Sequence, residues 1–184
     1  MLDRDDALAS VIANVENQNL VKHMLATEAI MRALARRLGG DEEEWGLTGL
    51  LHDIDVELTE DDPSFHSKLG ADLARELGAS DAMARAILCH NEAHGVLQES
   101  LLDKALYCAD PLTGLIIAAA LVRPDKKLAG LTPQSVVKRF GEKRFAAGAD
   151  REQIALCTEL GLDVEEFIAL GLEVMQGIAD DLGL

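Results

Sequence analysis

Aromatic residues are nearly absent from this sequence: Phe, Tyr and Trp make up 3% of 184 residues. A core must therefore be filled by Leu, Ala, Ile, Val and Met, a composition that favours helices over sheets. Cysteine is scarce as well. Cys89, Cys108 and Cys157 are far apart, odd in number and set in apolar helical patterns, so they read as reduced core thiols and not as a disulfide framework. Positive charge is in deficit, with 17 Lys and Arg against 33 Asp and Glu and a net charge of −16. A field of that sign repels nucleic-acid backbone and anionic membrane. It does not exclude a small phosphate compound, because a bound metal reverses the sign locally. Long apolar runs are missing too. The longest, Leu112 to Val122, is well short of the roughly 18–20 residues of a membrane span. The first residues, Met1-Leu2-Asp3-Arg4-Asp5-Asp6, are acidic and carry no signal-peptide apolar region. The expectation is one cytoplasmic domain spanning residues 1–184.

What is present is helical periodicity from end to end. Leu8, Val11, Ile12 and Val15 predict a helix over 3–19, and Leu20, Met24, Met31, Leu34 and Leu38 a second over 20–38. Gly39-Gly40 stops it, and Asp41 with Glu44 is a cap for a third that ends near His52. Residues 53–63 are acidic and turn-like. Pro63 suits the first position of a fourth helix carrying His66, Leu69 and Leu73 on one face and ending at Gly78. A fifth runs from Ser80 or Asp81 to His90. A sixth covers about 100–122 and is expected to be interrupted or kinked at Pro111. Helices over 133–145, 150–160 and 163–182 complete an all-α chain. The last third holds no histidine and reads as scaffold or interaction surface, the final apolar helix serving a core or a homodimer.

All five histidines, 23, 52, 66, 90 and 94, lie within the first 94 residues, four of them at helix positions that face inward. The apolar run Leu50-Leu51 ends in His52-Asp53, and Asp110 stands directly before Pro111. One inward histidine is usually a hydrogen-bonded core residue. Burying this whole set without partners is costly, so the joint pattern points to a metal, and imidazole with carboxylate suits Zn, Mn or Fe.

The order His23, Leu51-His52-Asp53, His66, His90 and Tyr107-Cys108-Ala109-Asp110 over about 20–120 resembles the HD-domain metal-dependent phosphohydrolases of HDIG type. This chain reads His52-Asp53-Ile54-Asp55, with Asp55 where that motif has glycine. The resemblance implies a compact multi-helix HD core at 20–120 with a helical extension at 121–184. It implies a first metal on His23, His52, Asp53 and Asp110, and a second on His66 and His90 with Asp53 bridging. One or two divalent transition ions (Mn, Fe, Ni, Co or Zn) are expected. The activity implied is hydrolysis of a phosphoester or phosphoanhydride through a metal-activated water. The expected substrate is a small, nucleotide-like phosphorylated molecule, with no nucleic-acid polymer and no membrane. Asp53, His66 and Lys104 are the candidate catalytic residues, Lys104 as the cation facing the phosphoryl group with Lys22 and Lys68 also near ligands in sequence, while Asp55 or Glu57 could orient the water. His94 is expected to be a loop residue. Oxygen activation by a di-iron pair, or a silent regulatory module, would use the same ligand pattern.

Overall fold

Asp3, Asn17, Asp41, Ser80, Ser100, Thr132, Asp150 and Asp163 each place a side-chain oxygen on a backbone N–H of the helix that follows. Such caps satisfy donors that a helix start leaves open. In the computed structural model, which describes residues 2–184, they begin eight of the ten α-helices, and no strand occurs among the described residues. The helices are α1 (Arg4–Asn14), α2 (Gln18–Leu38), α3 (Glu42–Leu51), α4 (Lys68–Glu76), α5 (Asp81–Cys89), α6 (Leu101–Leu121), α7 (Pro133–Phe140), α8 (Arg151–Ala155), α9 (Val164–Gly177) and α10 (Ala179–Leu182).

The two longest, α2 and α6, organise the rest. Their buried faces (Ile30, Met31 and Leu34 on α2; Leu106, Leu112, Leu115 and Ile116 on α6) meet Phe167, Ile168 and Leu172 of α9 in one apolar cluster. A second cluster joins Val11 and Val15 to Val21 and Met24 of α2, Leu47, Leu50 and Leu51 of α3, and Ile87 of α5. Each fully buried Leu, Ile or Met contributes about 1.5–3 kcal/mol. The free thiols of Cys89, Cys108 and Cys157 are buried in this interior, and burial pushes all three up from the usual thiol value. Helix α3 lies unusually close to α2: a Cβ at Gly49 would stand 2.9 Å from the carbonyl oxygen of Thr27 and from Cγ of Met31. Bidentate pairing of Arg4 with the buried Glu28, which also accepts from Arg32 Nε, ties α1 to the same helix.

Several expected boundaries move, each for a local reason. The first helix ends at Asn14, because the Glu57 carboxylate accepts from the N–H groups of Glu16 and Asn17 at 2.7 and 2.8 Å. Pro63 starts only a 3-10 turn, Pro63–Phe65; α4 begins at Lys68, so His66 precedes that helix. Helix α6 runs unbroken through Pro111, its flanks held by buried Leu106 and Leu112. Helix α7 stops at Phe140, where the Arg151 guanidinium takes the carbonyls of Arg139 and Phe140. The stretch from 151 to 160 divides into α8 and a 3-10 turn, and the final helix breaks at Ile178.

Candidate metal centre

Five elements converge where the two apolar clusters meet. His23 comes from the first turns of α2, His52-Asp53 from the end of α3, His66 from the loop before α4, His90 from the end of α5 and Asp110 from mid α6. His23 Nε2 lies 3.1 Å from His52 Nε2, 3.2 Å from Asp110 Oδ1 and 3.6 Å from Asp53 Oδ2. His52 Nε2 lies 3.4 Å from Asp53 Oδ2 and 3.9 Å from Asp110 Oδ1. On the other side of the same carboxylate, Asp53 Oδ1 is 3.5 Å from His66 Nε2 and 3.4 Å from His90 Nε2. Asp53 thus belongs to two clusters at once.

The outer ring nitrogens decide what these inner atoms are. His52 Nδ1 donates to the Gly49 carbonyl at 2.8 Å, His90 Nδ1 to the Ile87 carbonyl at 2.6 Å, and His66 Nδ1 to Asp55 Oδ1 at 2.9 Å. Thr113 gives its hydroxyl proton to the Asp110 carbonyl, so it accepts from His23 Nδ1 at 2.7 Å. Every neutral ring therefore carries its proton outward and turns an Nε2 lone pair inward. Two such lone pairs 3.1 Å apart repel, and two carboxylates beside them add to the repulsion. Ligands about 2.1 Å from a common ion are about 3.0–3.4 Å apart for octahedral to tetrahedral angles, and the contacts here begin in that range and extend to 3.9 Å. Two groups have donor atoms close enough together to hold a divalent cation, His23, His52 and Asp110, and His52, Asp53 and His90; His66 Nε2 stands at the edge of the second, 3.5 Å from Asp53 Oδ1.

The proton affinities carry the same message. Burial works against the charged form of His90, yet the hydrogen bond and charge of Asp53 override it and push this ring up to about 9. His23 is likewise raised, burial again opposing and Asp110 prevailing. His52, fully buried, is lowered by that burial. Burial would raise Asp53, but the surrounding imidazoles hold it well below the usual carboxylate range, and His23 lowers Asp110 in the same way. Positive charge belongs at this point. Side-chain exposure climbs from 0% at His52 to 29% at Asp110, so the centre opens toward Asp110.

Two open clefts meet that opening. One, about 310 Å³, runs between His23, Asp110, Pro111 and Gly114 and the residues Ala146, Gly148 and Ala149. The other, about 340 Å³, is lined by Asp53, His66, His90, Asn91, Glu92, Asp110 and Gln153. The last third of the chain, expected to be remote from the chemistry, forms one wall of each. No histidine marks Gln153 or the 146–149 loop in the sequence, and only folding brings them here.

Other expected roles change. Lys104 does not reach the cluster; its Nζ pairs with Glu159 at 2.9 Å, because six residues of helix separate it from Asp110 and turn it to another face. Asp55 is fully buried and turned away from the clefts. Its Oδ1 takes His66 Nδ1, while its Oδ2 takes the N–H groups of Ser67 and Gly70, both at 2.7 Å, at the start of α4. Glu57 is spent on the α1–α2 junction. His94, in a loop turn as expected, donates from Nε2 to the His66 carbonyl at 2.6 Å, and Asn91 Nδ2 reaches the same oxygen.

A model described as "HD domain" matches residues 20–115, a range that includes His23, His52, Asp53, His66, His90 and Asp110. The chain belongs to the HD-domain family. The HD core, with the all-α architecture and the His52-Asp53 pair at its centre, is thus as the sequence pattern implied. Relatives of this HD chain include proteins named ribonuclease Y. The one from Sulfurovum sp. is 29% identical over 167 residues, and that from Aliarcobacter butzleri 34% over 176; each match covers 89% of this chain and 32% of the relative. The one from Aquifex aeolicus is 29% identical over 175 residues, 90% of this chain and 30% of its own. The chain spans about a third of the length of these relatives. No solved structure matches it significantly. The ribonuclease relatives overturn the expectation of a small phosphorylated substrate with no nucleic-acid polymer. That expectation rested on a net charge summed over the whole molecule, which says nothing about how charge is distributed around a site.

Proposed function

We propose that this chain is a divalent-metal-dependent phosphodiester hydrolase domain whose substrate is RNA. The observation that carries the proposal is the convergence of four Nε2 atoms on the Asp53 and Asp110 carboxylates, with the outer nitrogen of each ring already engaged elsewhere. The names of the relatives support RNA as the substrate class. Bound divalent ions acidify water and neutralise phosphoryl charge. In the reaction, water oxygen adds to phosphorus, one ester P–O bond breaks and the departing oxygen takes up a proton. Asp53 holds the two ligand sets in register, since each of its oxygens faces a different set. Asp110 is the most open carboxylate and lines both clefts, so it is placed to orient or deprotonate the water. Gln153 offers a neutral amide and Asn91 braces the His66 backbone on the same wall.

The test is metal analysis of protein purified without chelator, together with cleavage of single-stranded RNA in the presence of Mn²⁺, Fe²⁺ or Ni²⁺. One or two ions per chain and chelator-sensitive cleavage are expected. Absence of bound metal with no thermal shift on adding any of the three ions would overturn the reading.

A further inference from the structure

Lys104 is bound to Glu159, and neither cleft has a lysine or arginine among its lining residues, although a polyanion needs a cation nearby. The chain's positive charge is elsewhere. Of its 17 basic residues, eight fall between Arg123 and Arg151, against three of the 33 acidic ones. The segment is net positive in a chain that is otherwise strongly acidic.

Arg151 gives this segment its shape. Its guanidinium has no carboxylate partner and donates instead to the carbonyls of Arg139, Phe140, Phe145, Ala146 and Ala149. Five carbonyls on one side chain draw residues 139–149 into a tight loop, in which Ala146 is held at a φ of 43°, a conformation non-glycine residues rarely adopt. The interior of that loop, Ala146, Gly148 and Ala149, walls the cleft beside His23 and Asp110. Its outer residues Lys143 and Arg144, with Lys138 on the last turn of α7, are exposed and form no ion pair among the described residues. The third arginine there, Arg139, is already occupied by Glu142 and the Phe145 ring. Lys126 and Lys127, where the chain turns back from α6 toward α7, are exposed and unpaired as well.

We propose that Lys138, Lys143 and Arg144 form a phosphate-backbone track that delivers single-stranded RNA to the metal centre. The proposal rests on the ribonuclease reading above. Three unpaired cations, two on the loop whose Ala146, Gly148 and Ala149 wall the cleft beside His23 and Asp110 and one on the helix that leads into it, suit a repeating phosphate, and sequence-independent contacts of this kind need no base-reading side chain. A sparse track on an acidic body also confines the strand to this path, since every other approach is repelled. The ribonuclease Y alignments cover nine-tenths of the chain and so run through this segment, well past residue 115 where the HD match ends.

The test separates binding from cleavage. Fluorescence anisotropy of a labelled oligouridylate, in EDTA so that nothing is cleaved, is compared for wild type and for Lys138→Glu, Lys143→Glu and Arg144→Glu combined. A second triple variant, Arg36→Glu, Arg37→Glu and Arg75→Glu, makes the same change in net charge on exposed residues elsewhere. The track variant is expected to bind at least about tenfold more weakly at low salt, with a plot of log affinity against log salt shallower by about 2, from about 0.7 for each lost phosphate contact on a single strand. The milder Lys138→Gln, Lys143→Gln and Arg144→Gln combination shows the same direction if the charge reversals unfold. Equal losses in the track and control variants, or none in either, overturn the proposal. So does track-dependent capture of anionic phospholipid vesicles in preference to the oligonucleotide at equal phosphate. RNA cleavage that survives with track-independent binding would sink this proposal and leave the hydrolase reading standing; track-dependent binding without cleavage would do the reverse.

Discussion

Asp53 carries the most at the scale of a single residue, because its two oxygens serve two ligand sets. Asp53→Ala is expected to abolish metal binding at both positions by titration calorimetry and to leave the far-ultraviolet circular dichroism unchanged, since the helices around it are held by apolar packing. Retained RNA cleavage by that variant would contradict the metal reading. Asp55 has a quieter role. It locks the His66 tautomer and satisfies two buried N–H donors, a carboxylate–histidine pair behind a ligand. Asp55→Asn puts an amide NH₂ where acceptance is needed. Affinity at the His66–His90 position should fall about 10–100-fold while the His23–His52 position is spared, giving two separable binding steps in the calorimeter. A uniform loss at both positions would mean that Asp55 supports the fold and not the ligand. The sequence pattern pointed to His23, His52, His90 and Asp110 because each ends or lines a helix whose apolar face turns it inward, to Asp53 because it follows His52, and to His66 through a helix face that the structure starts only at Lys68. It did not reveal Asp55's role. Residues 55, 67 and 70 meet only after the chain has turned back, and that meeting also delays the start of α4 beyond His66.

At the scale of the element, the α2–α3 contact sets the geometry of the centre. Gly49 lets α3 approach the backbone of α2, and its carbonyl is also the acceptor that orients His52. Gly49→Ala forces the two helices apart. An overpacking cost of about 1–3 kcal/mol is expected, read as a lower urea midpoint, and metal affinity should weaken because His23 and His52 sit on the separating helices. An unchanged midpoint would show that α3 can shift freely. Helix existence was legible from periodicity, and caps such as Asp41, Ser80 and Ser100 placed many of the starts. Ends were harder to read. Pro111 leaves α6 intact because buried neighbours on both sides carry the helix through. Lys104 fails as a site residue for an equally local reason: sequence nearness to Asp110 on a helix is not nearness on its surface.

For the whole molecule, charge is the governing quantity. A net −16 makes the folded chain repel itself, and screening should relieve that strain. Raising ionic strength from about 0.01 to 0.15 M shortens the screening length from about 30 to 8 Å, so the melting temperature of the metal-free protein should rise across that range. A fall would mean that ion pairs such as Arg4–Glu28–Arg32 outweigh the long-range repulsion. By itself the amino-acid sequence determined the helical class and the buried aliphatic core, and pointed to six side chains that the fold brings together, because periodicity and residue chemistry are local properties that survive in a linear reading. Only the tertiary structure decided that Asp55 stands behind His66, and that a loop far in sequence from any histidine walls the centre. Those are relations between residues tens of positions apart, and the packing of α2, α6 and the Arg151 loop creates them.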